Sequence, residues 1–131
     1  MERQKLYETF ISLDWQRQLG NLASTLATIS SQAMVEKHDL LTNHLLREAA
    51  LMIEWCAANV PKECLLELAG IQRELLAWKK VFPIEQARNI LSLSARNQSD
   101  RLLQIAGLIE PVESNKRIEL SSSLAEVSLF S

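Results

Sequence analysis

This chain is poor in the residues that punctuate sheets, staple small scaffolds or create a strong electric field. It has only three glycines and three prolines in 131 residues. Aromatics make up 5%, and the β-branched and aromatic clusters that mark strands are sparse. Two cysteines are too few for a disulfide framework. Cys56 and Cys64 are expected as buried thiols, with a disulfide across the turn at Pro61 as the alternative. A strong charge of either sign is also missing. The formal charge is −2, and no segment between the proline and loop boundaries exceeds a net charge of magnitude 2. That argues against nucleic acid or an anionic membrane as partner, and against a charged arm.

Long apolar runs are lacking too. Residues 18–35 carry no Asp, Glu, Lys or Arg, yet eight of the eighteen are Gln, Asn, Ser or Thr. A membrane-spanning helix needs about twenty predominantly apolar residues, so no membrane span is expected. The opening stretch "MERQKLYETF" mixes charged and apolar residues and has no apolar core, so it reads as no secretory signal. A cytoplasmic protein is the expectation.

What the chain does have is Leu, Ala and helical periodicity. With 47% hydrophobic residues it can bury a core as one domain without metal or disulfides. Trp15, Leu19, Leu22, Leu26, Ile29 and Ala33 form a heptad seam spaced 4, 3, 4, 3, 4. Ser12 or Asp14 can cap the start of that helix, and residues 2–33 form either one helix or a short one followed by a long one. A second helix is predicted from about Val35 to Ala58, with Leu41, Leu45, Ala49, Met52 and Cys56 on its inner face. A third, Pro61 to about Phe82, repeats the first seam at Cys64, Leu68, Ile71, Leu75, Trp78 and Phe82. Its back face carries charge, as a solvated face should. A fourth runs from Ile84 to Ile109 through the polar patch "RNQSD" as one continuous helix.

The expected fold is therefore all-α: an antiparallel bundle of four main helices with a possible short N-terminal helix. Residues 1–110 form the bundle domain. Residues 111–131 form a Ser-rich tail studded with Ile118, Leu120, Leu124, Val127, Leu129 and Phe130, which is either weakly ordered or docked on the bundle or on a partner. Trp15, Trp55 and Trp78 are the largest side chains available to the core.

Motifs that carry chemistry are few. The Glu-x-x-His repeats of di-iron bundles are not present: neither His38 nor His44 has Glu three residues before it. His44 and Glu48 lie one turn apart, but two ligands do not close a metal site. "HLLRE", from His44, matches the H-x-L-K-G pattern of phosphotransfer bundles at His44 and Leu46 only. Arg47 replaces the Lys, and Glu48 replaces the Gly and would repel a phosphorylated imidazole. The stretch Ala69–Lys80 offers a helix-turn-helix reading with Gly70 at the turn, although the seam crosses Gly70 in phase. No phosphate loop, nucleophile triad or Cys–His pair is present. No enzyme, cofactor or metal is expected.

The charge-free first helix admits two explanations. Burial on two sides excludes charge, and Gly20, Ala23, Ser24 and Ala27 allow close backbone approach; alternatively, its Ser/Thr-rich face meets a second chain. The candidate partner face is Asn21, Ser24, Thr25, Thr28 and Ser31, taking a protein partner or a second copy of the chain. Complementary flanking charges of the kind that set zipper pairing are missing there.

The runs "RQLGNLASTLATISS" and "IEWCAANVPKECLLELAGIQRELLAWKKVF" resemble small all-helical proteins of unknown function predicted in cyanobacterial genomes. The resemblance covers residues 15–82 and rests on general spacing. It implies a cytoplasmic protein of a photosynthetic bacterium, with no activity or site to carry over. The function expected is non-enzymatic protein interaction or assembly, with phosphotransfer through His44 and DNA binding as alternatives.

The seam assignment makes a direct prediction. Leu26→Ala should cost about 2–5 kcal/mol, and Trp78→Ala a comparable amount. A thermal melt that moves by less than about two degrees would refute the assignment.

Overall fold

The computed structural model describes residues 2–109, which form five α-helices and no strand. They are α1 (Glu2–Ile11), α2 (Trp15–Gln32), α3 (Asp39–Cys56), α4 (Leu65–Lys80) and α5 (Arg88–Ile105). The tail from residue 111 lies outside the described residues.

The N-terminal segment is two helices rather than one, and the break has a local cause. Ser12 Oγ turns back to donate to Thr9 O (2.7 Å), closing α1. Asp14 adopts an extended backbone (φ −72°, ψ 168°), and its carboxylate accepts the Arg17 amide at 2.9 Å. That bond satisfies one of the orphan N–H groups at the start of α2. The other long helices begin later than their periodicity predicts. Each is preceded by a 3₁₀ turn, at Glu36–His38, Lys62–Cys64 and Glu85–Ala87. In these turns His38, Cys64 and Ala87 donate three residues back, to Val35, Pro61 and Ile84. Apolar spacing does not separate such a turn from the first turn of an α-helix.

The patch 96–100 is helical throughout, as the periodicity predicts. Past the end of α5, Gly107 takes φ +75°. Its amide bonds Gln104 O (3.0 Å), and the Leu108 amide bonds Leu103 O (2.9 Å). This is the Schellman arrangement, in which the left-handed residue is usually Gly.

The heptad seam of α2 is its buried face: Leu19, Leu22, Leu26, Ile29 and Ala33 are all fully enclosed. They meet Leu46, Ala49 and Ile53 of α3, Leu68, Ile71 and Leu75 of α4, and Leu91, Ala95 and Leu102 of α5 in one core. One expectation needs correction: Leu41, placed on the inner face of its helix by spacing, is 45% exposed. The three tryptophans pack half-buried against the core, whose centre is filled by leucines and Phe10. Trp55 makes a platform for α1, with Tyr7 edge-on at 5.2 Å and Phe10 tilted at 5.9 Å.

The closest neighbours of α2 are α5 and then α3, not the similarly spaced α4. Small residues allow the α2–α5 approach, because interaxial distance follows the side chains at the contact. Ser30 Oγ donates to Ser92 O (2.7 Å), and Ser92 Oγ donates to Ser30 O (2.8 Å). Further along, Ser99 Oγ donates to Ala23 O (2.8 Å). Partner numbers on α5 thus rise as those on α2 fall. Arg88 closes the same end of this seam. It bonds Ala33 O and makes two bonds to Asp39, at 2.6 and 2.8 Å, tying α2, α3 and α5 together. The Arg88 guanidinium holds the Asp39 carboxyl below its ordinary value of 3.8. The tie is therefore intact above that value and is lost as pH falls through the lowered one.

Between α4 and α5 the contact is made by long polar side chains. Glu74 of α4 accepts from Trp78, Ser94 and Gln98. Arg101 of α5 grips Glu67 of α4 at 2.8 and 3.3 Å.

The serine seam predicts a strong size dependence. Ser99→Leu should destabilise by about 1–3 kcal/mol through overpacking, whereas Ser99→Ala should cost about 1 kcal/mol for the lost hydrogen bond. Urea unfolding curves for the two variants would compare them directly. Equal stability for Leu and wild type would refute close packing at this seam.

Candidate functional site: the uncharged face of α2

The helix α2 turns its apolar seam to the core and small residues to α5. A third side faces α3, where Thr25 is half-buried and its hydroxyl lies 3.7 Å from the Met52 sulfur. The position that most needs explanation is Gln18, which is fully buried. Its Nε2 donates to Phe10 O (3.1 Å) and its Oε1 accepts from Asn59 Nδ2 (3.4 Å). A buried amide is tolerated because both of its ends are bonded. Heptad spacing treats Gln18 as a flanking position, so its role at the junction of α1, α2 and the end of α3 was not readable from the sequence.

Burial thus accounts for the missing charge at Gln18, Ala23, Thr25 and Ser30. It does not account for the outer stripe. Asn21, Ser24, Thr28 and Ser31 are all exposed, spaced 3, 4, 3 along one side of the helix. Of the five residues expected in the partner face, these four share an open surface and Thr25 is set back. The threonine hydroxyls bond their own helix: Thr25 donates to Asn21 O (3.2 Å) and Thr28 to Ser24 O (3.1 Å). Their donor protons are thereby occupied, and the face is less polar than its composition suggests.

The stripe leads into an apolar corner between α2 and α3. Met34 is 51% exposed, Val35 37% and Leu40 88%. With Leu41, also exposed, these side chains leave open apolar surface beside an uncharged helix face.

The second candidate, His44, lies in a cleft of about 350 Å³ between α1 and α3, lined by Arg3, Leu6, His44, Leu45 and Glu48. Arg3 donates to Glu48 Oε2 at 3.1 Å, and His44 Nε2 lies 3.5 Å from the same oxygen. The imidazole is accessible, with 57% of its side chain exposed. A phosphoryl group on that nitrogen would meet the Glu48 carboxylate at close range. No group of three or more His, Cys, Asp or Glu side chains with metal-binding geometry occurs among the described residues.

The stretch Ala69–Lys80 belongs to a single α-helix that runs unbroken through Gly70. The turn required by a helix-turn-helix at that position is replaced by continuous helix, so that structural reading is corrected. Among the described residues no helix is long and apolar enough to cross a membrane.

Both cysteines are free and buried. Burial raises both thiols, and Cys56 is pushed up to about 11. Only the thiolate is an efficient nucleophile. Native protein at pH 8 should therefore resist alkylation by iodoacetamide and react fully once unfolded in guanidinium. Rapid native labelling, followed by mass spectrometry, would contradict the packing around α3 and the start of α4.

Comparison with protein-family models, with curated proteins and with solved structures found no match.

Proposed function

We propose that α2–α5 form an antiparallel four-helix bundle, and that this bundle is a non-enzymatic, cytoplasmic interaction module binding a protein partner or a second copy of itself through α2. The bundle reading is supported by opposed numbering at three helix pairs. Ser30 meets Ser92 while Ala23 meets Ser99. Thr25 meets Met52 while Gln18 meets Asn59. Glu74 meets Ser94 while Glu67 meets Arg101.

One observation carries the interaction reading: Asn21, Ser24, Thr28 and Ser31 form an exposed stripe with no charge, followed in the chain by the exposed apolar side chains of Met34 and Val35. A solvated helix face ordinarily carries charged residues, as the outer side of α4 does with Arg73 and Lys80. An uncharged face can enter an interface without the desolvation cost of burying an ion.

A Ser24→Glu/Thr28→Glu/Ser31→Glu variant tests the proposal. These positions are exposed, so helical content and melting temperature should stay close to wild type. Partner recovery in affinity capture from the native cell, or self-association in sedimentation equilibrium, should be lost. Identical capture lists and identical sedimentation for the two proteins would sink the assignment.

A further inference from the structure

The core seam of α4 is accompanied by a second heptad repeat on its outer side. Leu66, Ala69, Arg73, Leu76 and Lys80 recur at spacings 3, 4, 3 and 4. Leu66 is 81% exposed and Leu76 45%. Arg73, Ala77 and Lys80 are exposed as well, and Ala69 is half-buried. From Leu66 to Lys80 the stripe runs about 21 Å along the helix axis. Two hollows adjoin its C-terminal half. One, of about 630 Å³, opens over Arg73, Leu76, Ala77, Lys79 and Lys80 of α4 alone. The other, of about 390 Å³, lies between α4 and α3, where Arg47, Ala50 and Leu51 of α3 meet Leu76 and Lys79. Gln72 Nε2 donates to Ala50 O at 3.0 Å and ties the two helices there.

The charge beside this stripe is of one sign because the acids of α4 are used elsewhere. Glu67 is held by Arg101, and Glu74 by Ser94 and Gln98, all of α5. Arg47, Arg73, Lys79 and Lys80 enter none of the ion pairs among the described residues. Glu54 is the one carboxylate that lines either hollow among those residues. We propose that this side of α4 docks an amphipathic, acidic α-helix of a partner protein. Its apolar side chains seat over Leu66, Ala69 and Leu76, and two of its carboxylates, one heptad apart, face Arg73 and Lys80. The repeat specifies a helix, because knobs-into-holes packing requires apolar positions at this spacing on both partners. The free bases specify its charge, since opposite potentials meet across an interface. An anionic membrane also takes leucines beside bases. The concave hollow between α3 and α4, with Glu54 in its wall, favours a helix laid in a groove. The assignment is independent of the α2 interaction face, which lies on another helix and carries no charge.

A peptide titration followed by NMR tests this in the full-length chain. The probe is a synthetic helix of about three heptads, with leucine at its two seam positions and glutamate beside them. A second peptide carries lysine in place of every glutamate. The glutamate peptide should shift the amide signals of Leu66, Ala69, Arg73, Leu76 and Ala77, less so as salt is added, and the lysine peptide should not. An Arg73→Glu/Lys80→Glu variant changes two exposed positions, so its circular dichroism should match wild type. It should lose at least about tenfold in affinity for the glutamate peptide and gain binding of the lysine peptide. Leu66→Ser should weaken the glutamate peptide with an unchanged melting temperature. No binding of that peptide, shifts confined to α2, or equal binding by the charge-reversed variant would overturn the proposal. Co-sedimentation with phosphatidylserine vesicles in the absence of any peptide-induced shift would assign the face to a membrane, and would overturn it too.

Discussion

Everything else in this structure is arranged around the close approach of α2 to α5. Bulky side chains between two helices hold their axes apart, whereas Ala23, Ser30, Ser92, Ala95 and Ser99 allow them together. A buried hydroxyl is costly when left unbonded. Here each serine bonds a backbone carbonyl of the opposite helix, and Ser30 and Ser92 do so reciprocally. The polarity that would weaken an apolar core thus specifies which helix lies next to α2 and in which register. Arg88 extends the arrangement to the start of α3, and Leu108, held by the Gly107 turn, comes down over Gly20 at the opposite end. With α5 on one side and α3 on the other, α4 is left to complete the core through Leu68, Ile71 and Leu75.

This arrangement divides the uncharged stretch of α2 into two populations with different causes. Gln18, Ala23, Thr25 and Ser30 lie under neighbouring elements, where a charge would need a buried partner. Asn21, Ser24, Thr28 and Ser31 face outward, and no packing constraint within the described residues forbids charge there. The contrast with α4 is instructive, because the two helices carry the same seam spacing. The outer surface of α4 has basic groups beside Leu76 and Ala77, whereas that of α2 has none beyond Arg17. Two helices of one core therefore present two chemically distinct surfaces.

Much of the helix content was legible because heptad spacing and proline positions are local signals. The buried Leu19, Leu22, Leu26 and Ile29 of α2 and Leu68, Ile71 and Leu75 of α4 follow from it. The failures have specific physical origins. Helix starts were placed early because a 3₁₀ turn has nearly the same apolar spacing as an α-turn. Leu41 was assigned inward on periodicity alone, yet it lies in the first turn of α3, at the corner beyond the end of α2. Of the partner face, the shared side of four residues followed from their 3, 4, 3 spacing, while their exposure and the shielding of Thr25 depended on where the other helices lay.

The sequence by itself determined the all-helical class, the α2 seam, a helix start capped at Ser12 or Asp14 and the absence of charge over residues 18–35, because each depends on neighbours within a few residues. Only the tertiary structure decided that α2 lies against α5 rather than pairing seam to seam with α4. Hydrophobic spacing tells a helix which face to bury but not against which helix. That choice was made by the serine-to-carbonyl bonds, which join residues 62 and 76 positions apart. The same choice decided which part of an uncharged helix became core and which part was left as an open face.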